Sequence, residues 1–540
     1  MPLVNSFNTS TISTIEISES GITKLLRDAD PSKASGPDNI PNRILKECAD
    51  SIAPGLTLIF QRSIDTGTLP DTWLKANVSS VFKKGNKHLA ENYRPISLTS
   101  VVSKLLEHVI CKRILCHLED IGILTNLNHG FRSWYSCETQ LLVTTNDLLK
   151  SQDKGIQVDV AVLDFSKAFD TVPHEKLLYK LKKYGIEGPL HAWLSNFLTK
   201  RYMRVVLEGT FSNEVPVISG VPQGTVLGPL LFLCHINDLP DRVKSQIRLF
   251  ADDCLMYREI KTHLDHTILQ NDLQCLESWA EDWGMHFNAK KCYILSIKNK
   301  LPHAYTLNNT ILERVQSIPY LGVTLSEDLK WNNHIDKITK KASRVVGFLK
   351  RNLKHSPITC KRNAYLALVR SMLEYGAVIW DPYLQEDINK LERVQRQGVR
   401  FITADYTSRA TGCVTQMLHE QNLVDLKERR KTTRLVFMCK IVRSLILIPA
   451  IPPEEFLTPQ RPKRKIRARK YNDDVTNNIV EKHVTNNSEC FSLPPSHTQN
   501  YRHSFFVQTV IDWNHLDEFT INQPTVEAFK TRIANCTISN

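Results

Sequence analysis

The chain has 540 residues, 42% of them hydrophobic and 23% charged. This is ordinary globular composition with ample core material, enough for about three or four units at roughly 100–200 residues each. Lys and Arg number 69 against 56 Asp and Glu, a formal charge of +13, which suits a polyanionic partner such as RNA or DNA. The 13 cysteines include no CxxC pair, so neither a zinc knuckle nor a thioredoxin-type site is expected, and a reducing, intracellular compartment is (nucleus, cytoplasm or both).

The polar start lacks the basic and apolar segments of a signal peptide. One helix is predicted within 1–30, followed by the turn-rich stretch 31–41 (PSKASGPDNIP). A strand at 78–82 runs into the basic turn Lys83-Lys84-Gly85-Asn86-Lys87. A helix over 99–118 presents Val102, Leu105, Leu106, Val109 and Ile110 on its apolar face. Residues 158–165 (VDVAVLDF) read as a buried strand. Residues 174–200 read as helical, with Lys176, Lys180, Lys182 and Lys183 as basic positions. Strands at 204–207 and 215–218 are joined through a Gly-containing turn. A glycine-bearing loop, 219–224, opens an apolar helix that runs to about residue 239. Residues 247–257 (IRLFADDCLMY) form two apolar runs around a polar tip, a tight hairpin.

After residue 325 the pattern turns helical. Ile335, Ile338, Ala342, Val345, Val346 and Leu349 make one stripe, and 387–402 is a second amphipathic helix. The best apolar run, 435–451, is interrupted by Lys440 and Arg443, so no membrane span is expected. The run 461–470 (RPKRKIRARK) is basic at seven of ten positions and reads as a linker or arm.

Asp164 falls near the end of an apolar strand, and Asp252 and Asp253 at the tip of an apolar hairpin. Burying an unpaired carboxylate is costly, and adjacent acids repel one another. A divalent cation with a taste for hard oxygen ligands removes both costs. Phosphoryl transfer uses such acids to hold two ions. The plain alternative is that Asp-Asp at a tip is turn chemistry. For the pair alone that alternative is the better one.

The neighbouring motifs change the balance. They are VFKKGNK (81–87), NYRPISLTS (92–100), NHGFRSWYSCETQ (128–140), LDFSKAFDTVPH (163–174), SGVPQGTVLGPLLFLCHINDLP (219–240), LFADD (249–253), WGMHFNAKKC (283–292) and YLGV (320–323). This ordered set resembles the reverse transcriptase of non-LTR (LINE-type) retrotransposons, strongly over about 30–330. It is similar to the branch whose polyprotein carries an upstream apurinic-type endonuclease, although too few residues precede the polymerase motifs here for such a domain. The resemblance implies an α+β right-hand polymerase with fingers, a palm of antiparallel sheet and flanking helices, and a mostly helical thumb and C-terminal region. The expected division is 1–65 as a helical N-terminal extension, 66–325 as the reverse transcriptase domain, 326–455 as a thumb-like region and 456–540 as basic linker and tail.

The resemblance also implies roles. Asp164, Asp252 and Asp253 form the acidic cluster, with the Phe165 carbonyl beside them, around two Mg²⁺ ions (Mn²⁺ as an alternative). Phe169 is the steric gate against a 2′-hydroxyl. Gln223 and Gly224 lie against the incoming nucleotide, and Lys83 or Lys84 with Arg94 holds its triphosphate. Lys291 protonates the pyrophosphate. Tyr320, Leu321, Gly322 and Val323 form the primer grip. The expected partners are an RNA template, a DNA primer or target, and dNTPs, with no membrane. The chemistry expected is RNA-directed DNA synthesis. Trp134 and Tyr135 depart from the family, which carries small or basic residues after GFR. That departure supports an alternative reading, a domesticated RNA-binding remnant. A group II intron-type maturase is a third reading, disfavoured by NYRPISL and LDFSKAFDTV.

Overall fold

The strand Gln157–Asp164 is the middle of a five-stranded sheet ordered Glu313–Arg314, Tyr293–Ile297, Gln157–Asp164, Asp253–Ile260, Gln246–Phe250. All neighbours are antiparallel except the short Glu313–Arg314 strand. The computed structural model describes residues 10–448, 487 and 489–538. The basic run 461–470 lies outside them.

The VDVAVLDF segment is apolar on both sides because both sides are covered. Side chains alternate across a strand. Val158 and Val160 join a core with Leu255, Leu295, Ile297 and the C-terminal helices. Ala161 and Leu163 join a second core with Met256, Ile294 and helices from the first half of the chain. The helix Cys137–Asp153, opened by a Ser136–Thr139 capping box, contributes Leu141, Leu142, Leu148 and Leu149 to the first of these cores.

A second sheet orders Tyr93–Thr99, Lys75–Phe82, Tyr202–Leu207 and Thr210–Phe211, with Val215–Pro216 also paired to Tyr202–Leu207. Lys75–Phe82 runs parallel to Tyr202–Leu207 and antiparallel to Tyr93–Thr99. The two sheets are joined through the helices Val101–Asp120, Gly188–Thr199 and Leu227–Ile236, whose apolar faces share one core. The architecture is therefore mixed α and β.

The 174–200 segment, read as one helix, is two: His174–Lys183 and Gly188–Thr199. Gly185 takes φ 80° and the Ile186 N–H turns back to the Leu181 carbonyl at 3.1 Å. That closure ends the first helix. Ile186 is then free to bury completely and to bridge Ile12 of the N-terminal segment. The apolar helix after the glycine loop is also shorter than read, Leu227–Ile236.

Among the described residues beyond the hairpin Ser317–Tyr320/Val323–Ser326, the regular elements are helices. In Asn332–Asn352, Ile335, Ala342, Val346 and Leu349 are buried, and Ile338 and Val345 partly so. Arg430 and Arg434 of helix Leu426–Val442 reach Asp381 at 2.7 and 2.8 Å, and Arg434 also reaches Asp512 at 2.9 Å. These pairs tie residues 505–514 to the body of the region. No helix among the described residues is long and apolar enough to cross a membrane.

Candidate active site

Asp164 and Asp253 are register partners in the last pair of the central ladder, so their side chains share one face. Asp252 sits in the connection between Gln246–Phe250 and Asp253–Ile260. The connection is held from behind. Ala251 takes φ 55°, and its N–H donates to Asn128 Oδ1 at 3.2 Å. The same oxygen accepts the Gly130 N–H at 3.0 Å. A Cβ on Gly130 would stand 2.4 Å from the Ala251 nitrogen, so only glycine fits. The His129 N–H reaches the Leu249 carbonyl, and the Leu249 N–H the Leu127 carbonyl, at 3.1 and 2.9 Å. The NHGFR motif is thus a brace for Asp252. Sequence reasoning used this motif only as part of the family resemblance. The cue it passed over was an Asn two residues before a Gly, a short acceptor beside a point of close approach.

Loss of solvent at this sheet end raises the Asp252 carboxyl above its usual range, with Asp164 adding repulsion and Lys83 and Arg94 opposing. Asp253 is pushed up to about 6, first by partial desolvation and then by Asp252 and Asp164. Its side chain stays exposed, and that solvent contact screens the repulsion. Lys291 Nζ stands 3.2 Å from Asp164 Oδ2. Among the described residues, no three His, Cys, Asp or Glu side chains are gathered at metal-ligating spacing. The three acids share one sheet end without closing a ligand shell. The donor chemistry nevertheless fits a divalent cation, since carboxylates are hard oxygen ligands and a cation would offset the desolvation and repulsion borne by Asp252 and Asp253.

Phe165 is buried and stacks on Phe287 with centroids 4.3 Å apart. The flanking bonds run from the Ser166 N–H to His286 and from the Asn288 N–H to Asp164, and neither uses the Phe165 carbonyl. Phe169 is half-buried, its ring stacked on Phe232 at 4.5 Å and edge-on to Phe131 at 6.2 Å.

The 219–224 loop is fastened to this segment. The Val221 N–H donates to the Phe169 carbonyl at 2.7 Å, and Gln223 Nε2 to Asp170 Oδ1 at 3.1 Å. Gly220 (φ 87°) and Gly224 (φ 111°) are pressed against Phe169–Asp170 and Ser97 respectively. The Ser97 N–H donates to the Gln223 carbonyl at 2.7 Å, so the loop also grips the second sheet. Behind it lies a residue that sequence reasoning missed. Glu107, fully buried, accepts the N–H groups of Val226 and Leu227 at 2.7 and 3.2 Å. A lone acid at the apolar face of a predicted helix was the available signal.

Lys83 and Arg94 lie on one face of their strand pair. Val81 pairs with Arg94, and Lys83 is two residues past Val81. Both cations act on Asp252. Phe82 pairs with Tyr93 on the opposite face, where Lys87 lies over the Phe82 ring, and Lys84 lies in the bend past the strand's end. The hairpin turn Leu321-Gly322 is fixed by Tyr375, whose hydroxyl donates to the Leu321 carbonyl at 3.0 Å and whose ring would meet a Cβ on Gly322 at 2.7 Å. Tyr320 is buried, with Gln140 Nε2 donating to its hydroxyl at 3.4 Å. Burial raises the Tyr320 phenol above its usual range, and the Asp253 charge adds to the rise. Val323 closes the turn as a fully buried residue. Trp134 is exposed at φ 69°, while Tyr135 lies over the Arg132 guanidinium at 4.7 Å.

Three acids at one sheet end, flanked by cations and a glycine-bearing loop, make up the candidate site. Residues 81–325 match the family model for reverse transcriptase (RNA-dependent DNA polymerase). The RNA-directed DNA polymerase from mobile element jockey of Drosophila melanogaster is 30% identical over 387 residues, covering 69% of this chain and 42% of that protein. The probable RNA-directed DNA polymerase from transposon BS of the same organism is 28% identical over 455 residues, covering 80% of this chain and 50% of that protein. A type-1 retrotransposable element R2 polyprotein of Popillia japonica is 24% identical over 280 residues, covering 47% and 38%. The chain thus spans about half the length of the first two relatives or less. Residues 81–325 are thus a reverse transcriptase region similar to those of non-LTR retrotransposons.

Proposed function

We propose that this chain copies an RNA template into DNA by extending a DNA 3′-hydroxyl with dNTPs. The observation that carries the reading is the Asp164–Asp253 register pair with Asp252 braced beside it. Asp164, Asp252, Asp253 and the Phe165 carbonyl would hold divalent ions, two Mg²⁺ or alternatively Mn²⁺. Bound there, such ions lower the pKa of an attacking hydroxyl and offset charge on the leaving oxygen. Lys83 and Arg94 bind the triphosphate, and their shared face favours Lys83 over Lys84 for this task. Gln223 and Gly224 form the floor for the nucleotide. Phe169 crowds the sugar and excludes a 2′-hydroxyl. Lys291 Nζ, beside Asp164, is the proton donor to the departing pyrophosphate. Tyr320, Leu321, Gly322 and Val323 hold the primer end.

In this reading the second sheet is the fingers, the central sheet the palm and the helices after residue 326 the thumb. The division at 65/66, 325/326 and 455/456 is part of the same proposal, as is action within the cell, where RNA and dNTPs are supplied. The test is primer extension on an RNA template by the purified chain, with Asp252→Asn as control. Templated incorporation by the wild type, lost at least about a hundredfold in the variant, supports the reading; removal of one transition-state charge stabiliser costs about 10²–10³ in rate. Absent incorporation, or equal incorporation by Asp252→Asn, would sink it.

A further inference from the structure

A cleft of about 510 Å³ opens at the end of the central sheet remote from the acids. Val158 in its wall is six residues before Asp164 on the same strand, which at ~3.3 Å per residue puts it about 20 Å away. Six cations line it: Lys150 and Lys154 from the Cys137–Asp153 helix and its cap, Lys244 and Arg248 at the edge strand, and Arg258 and Lys261 from the adjacent strand and its end. Three acids line it too, and each is engaged. Asp147 pairs with Arg248 at 2.9 Å, Asp265 with Arg258 at 3.1 Å and Glu259 with Lys261 at 2.7 Å. Lys154 and Lys244 are exposed, and among the described residues neither closes an ion pair. The cleft therefore has surplus positive charge that its own acids do not consume.

Its inner wall is built. Arg248 is only 4% exposed and also donates to the Tyr257 hydroxyl at 3.2 Å. The N–H groups of Lys244 and Ser245 are fixed on Asp272 at 3.0 and 2.8 Å. Ser245 is 7% exposed and lines the cleft, yet its hydroxyl has no hydrogen-bond partner among the described residues.

We propose that this cleft holds the phosphodiester backbone of single-stranded RNA, away from the segment being copied. The inference rests on the RNA-templated reading for its choice of polyanion. The cations come from three separate chain segments around a space larger than one phosphate needs, which fits a strand rather than a free anion. Lysines and buried donors supply phosphate contact without sequence readout.

The test compares the full chain with its Lys154→Gln/Lys244→Gln double variant. Both lysines are exposed, so neutral replacements keep the fold. Affinity for a long single-stranded RNA is measured across a salt series. Losing two phosphate contacts should lower the log–log salt slope by about 1.4, and either single variant by about 0.7. Turnover on a short primer–template confined to the acids should be unchanged. An unchanged slope on the long RNA overturns the proposal. So does loss of inorganic phosphate binding in the variant with the RNA slope intact, which would assign the cleft to a free anion. A slope difference in a chain that performs no templated synthesis leaves the cleft standing and removes the polymerase reading instead.

Discussion

The Glu107 carboxylate accepts the N–H of Val226 at 2.7 Å, two residues after the Gly224 that faces Ser97. Burial raises the Glu107 carboxyl, and the charge of Arg201 opposes that rise. Arg201 is itself 1% exposed, with both terminal nitrogens unpartnered among the described residues. Each charge is therefore the other's main compensation. Glu107→Gln should destabilise the chain by about 1.5–3 kcal/mol, because it takes the charge from the acceptor of the Val226 and Leu227 N–H groups. Adding Arg201→Met should restore part of that loss. The loop reading adds a kinetic signature: in Glu107→Gln the KM for dNTP rises while RNA affinity stays constant. Thermal melts of the four-member cycle and steady-state kinetics check both. A melt change with KM unmoved would reduce Glu107 to a structural role.

Lys83 prolongs the strand pair, its N–H donating to the Asn92 carbonyl at 2.8 Å, and by alternation shares its side with Arg94, whereas Lys84 lies in the bend beyond the strand. Lys83→Ala should raise the KM for dNTP by roughly 10- to 100-fold, the worth of a charged hydrogen bond of about 1.5–3 kcal/mol. Lys84→Ala should leave it within a factor of about two. Parallel titrations of dNTP with both variants decide this. Equal effects would mean that the turn presents either lysine.

What was legible in the sequence follows the range of the forces involved. The Gln157–Asp164 strand, the FADD hairpin and the stripe on Asn332–Asn352 were readable because burial imposes periods that local residues report. The split at Gly185 was not, since it depends on Ile186 finding a place against the N-terminal segment. The acids were visible as misfits in apolar runs, but what holds them was not. Asn128 and Gly130 are more than a hundred residues from Asp252 in the chain, and no local pattern connects them. Tyr375 behind Gly322 is the same case.

Phe169 is packed on one side by Phe232 and Phe131 and is only half-buried. Phe169→Val should therefore cost less than the roughly 3–5 kcal/mol of a fully buried Phe→Ala change. If the ring also crowds the sugar, preference for dNTP over rNTP should fall by at least about tenfold, equal to ~1.4 kcal/mol. The ratio of kcat/KM for the two substrates measures this. A lowered melting temperature with unaltered preference would leave Phe169 as packing alone.

His334 links the helix Asn332–Asn352 to the hairpin, its Nδ1 accepting the Thr324 N–H at 3.2 Å while the ring is 2% exposed. Burial, helped by Lys337, pulls its pKa down to about 4. His129, inside the Asp252 brace, is lowered to about 3 by burial, Arg248 and Arg132. Both rings are neutral in the native chain and ionise near 6.5 when unfolded. The unfolded state therefore binds more protons below that value. Stability is full above pH 6.5 and declines as pH falls toward 4. Asp253, raised to about 6, acts in the opposite direction over part of the same window, but solvent screens it. Two buried histidines should outweigh one exposed carboxylate, so the net slope is acid-destabilising. His334→Asn, whose side-chain oxygen can still accept the Thr324 N–H, removes one titrating ring. Denaturant melts between pH 4 and 6.5 should show the slope of stability against pH reduced by up to about 1.4 kcal/mol per pH unit in that variant. An unchanged slope would mean that His334 is protonated in the native chain and that the hairpin is held by other contacts.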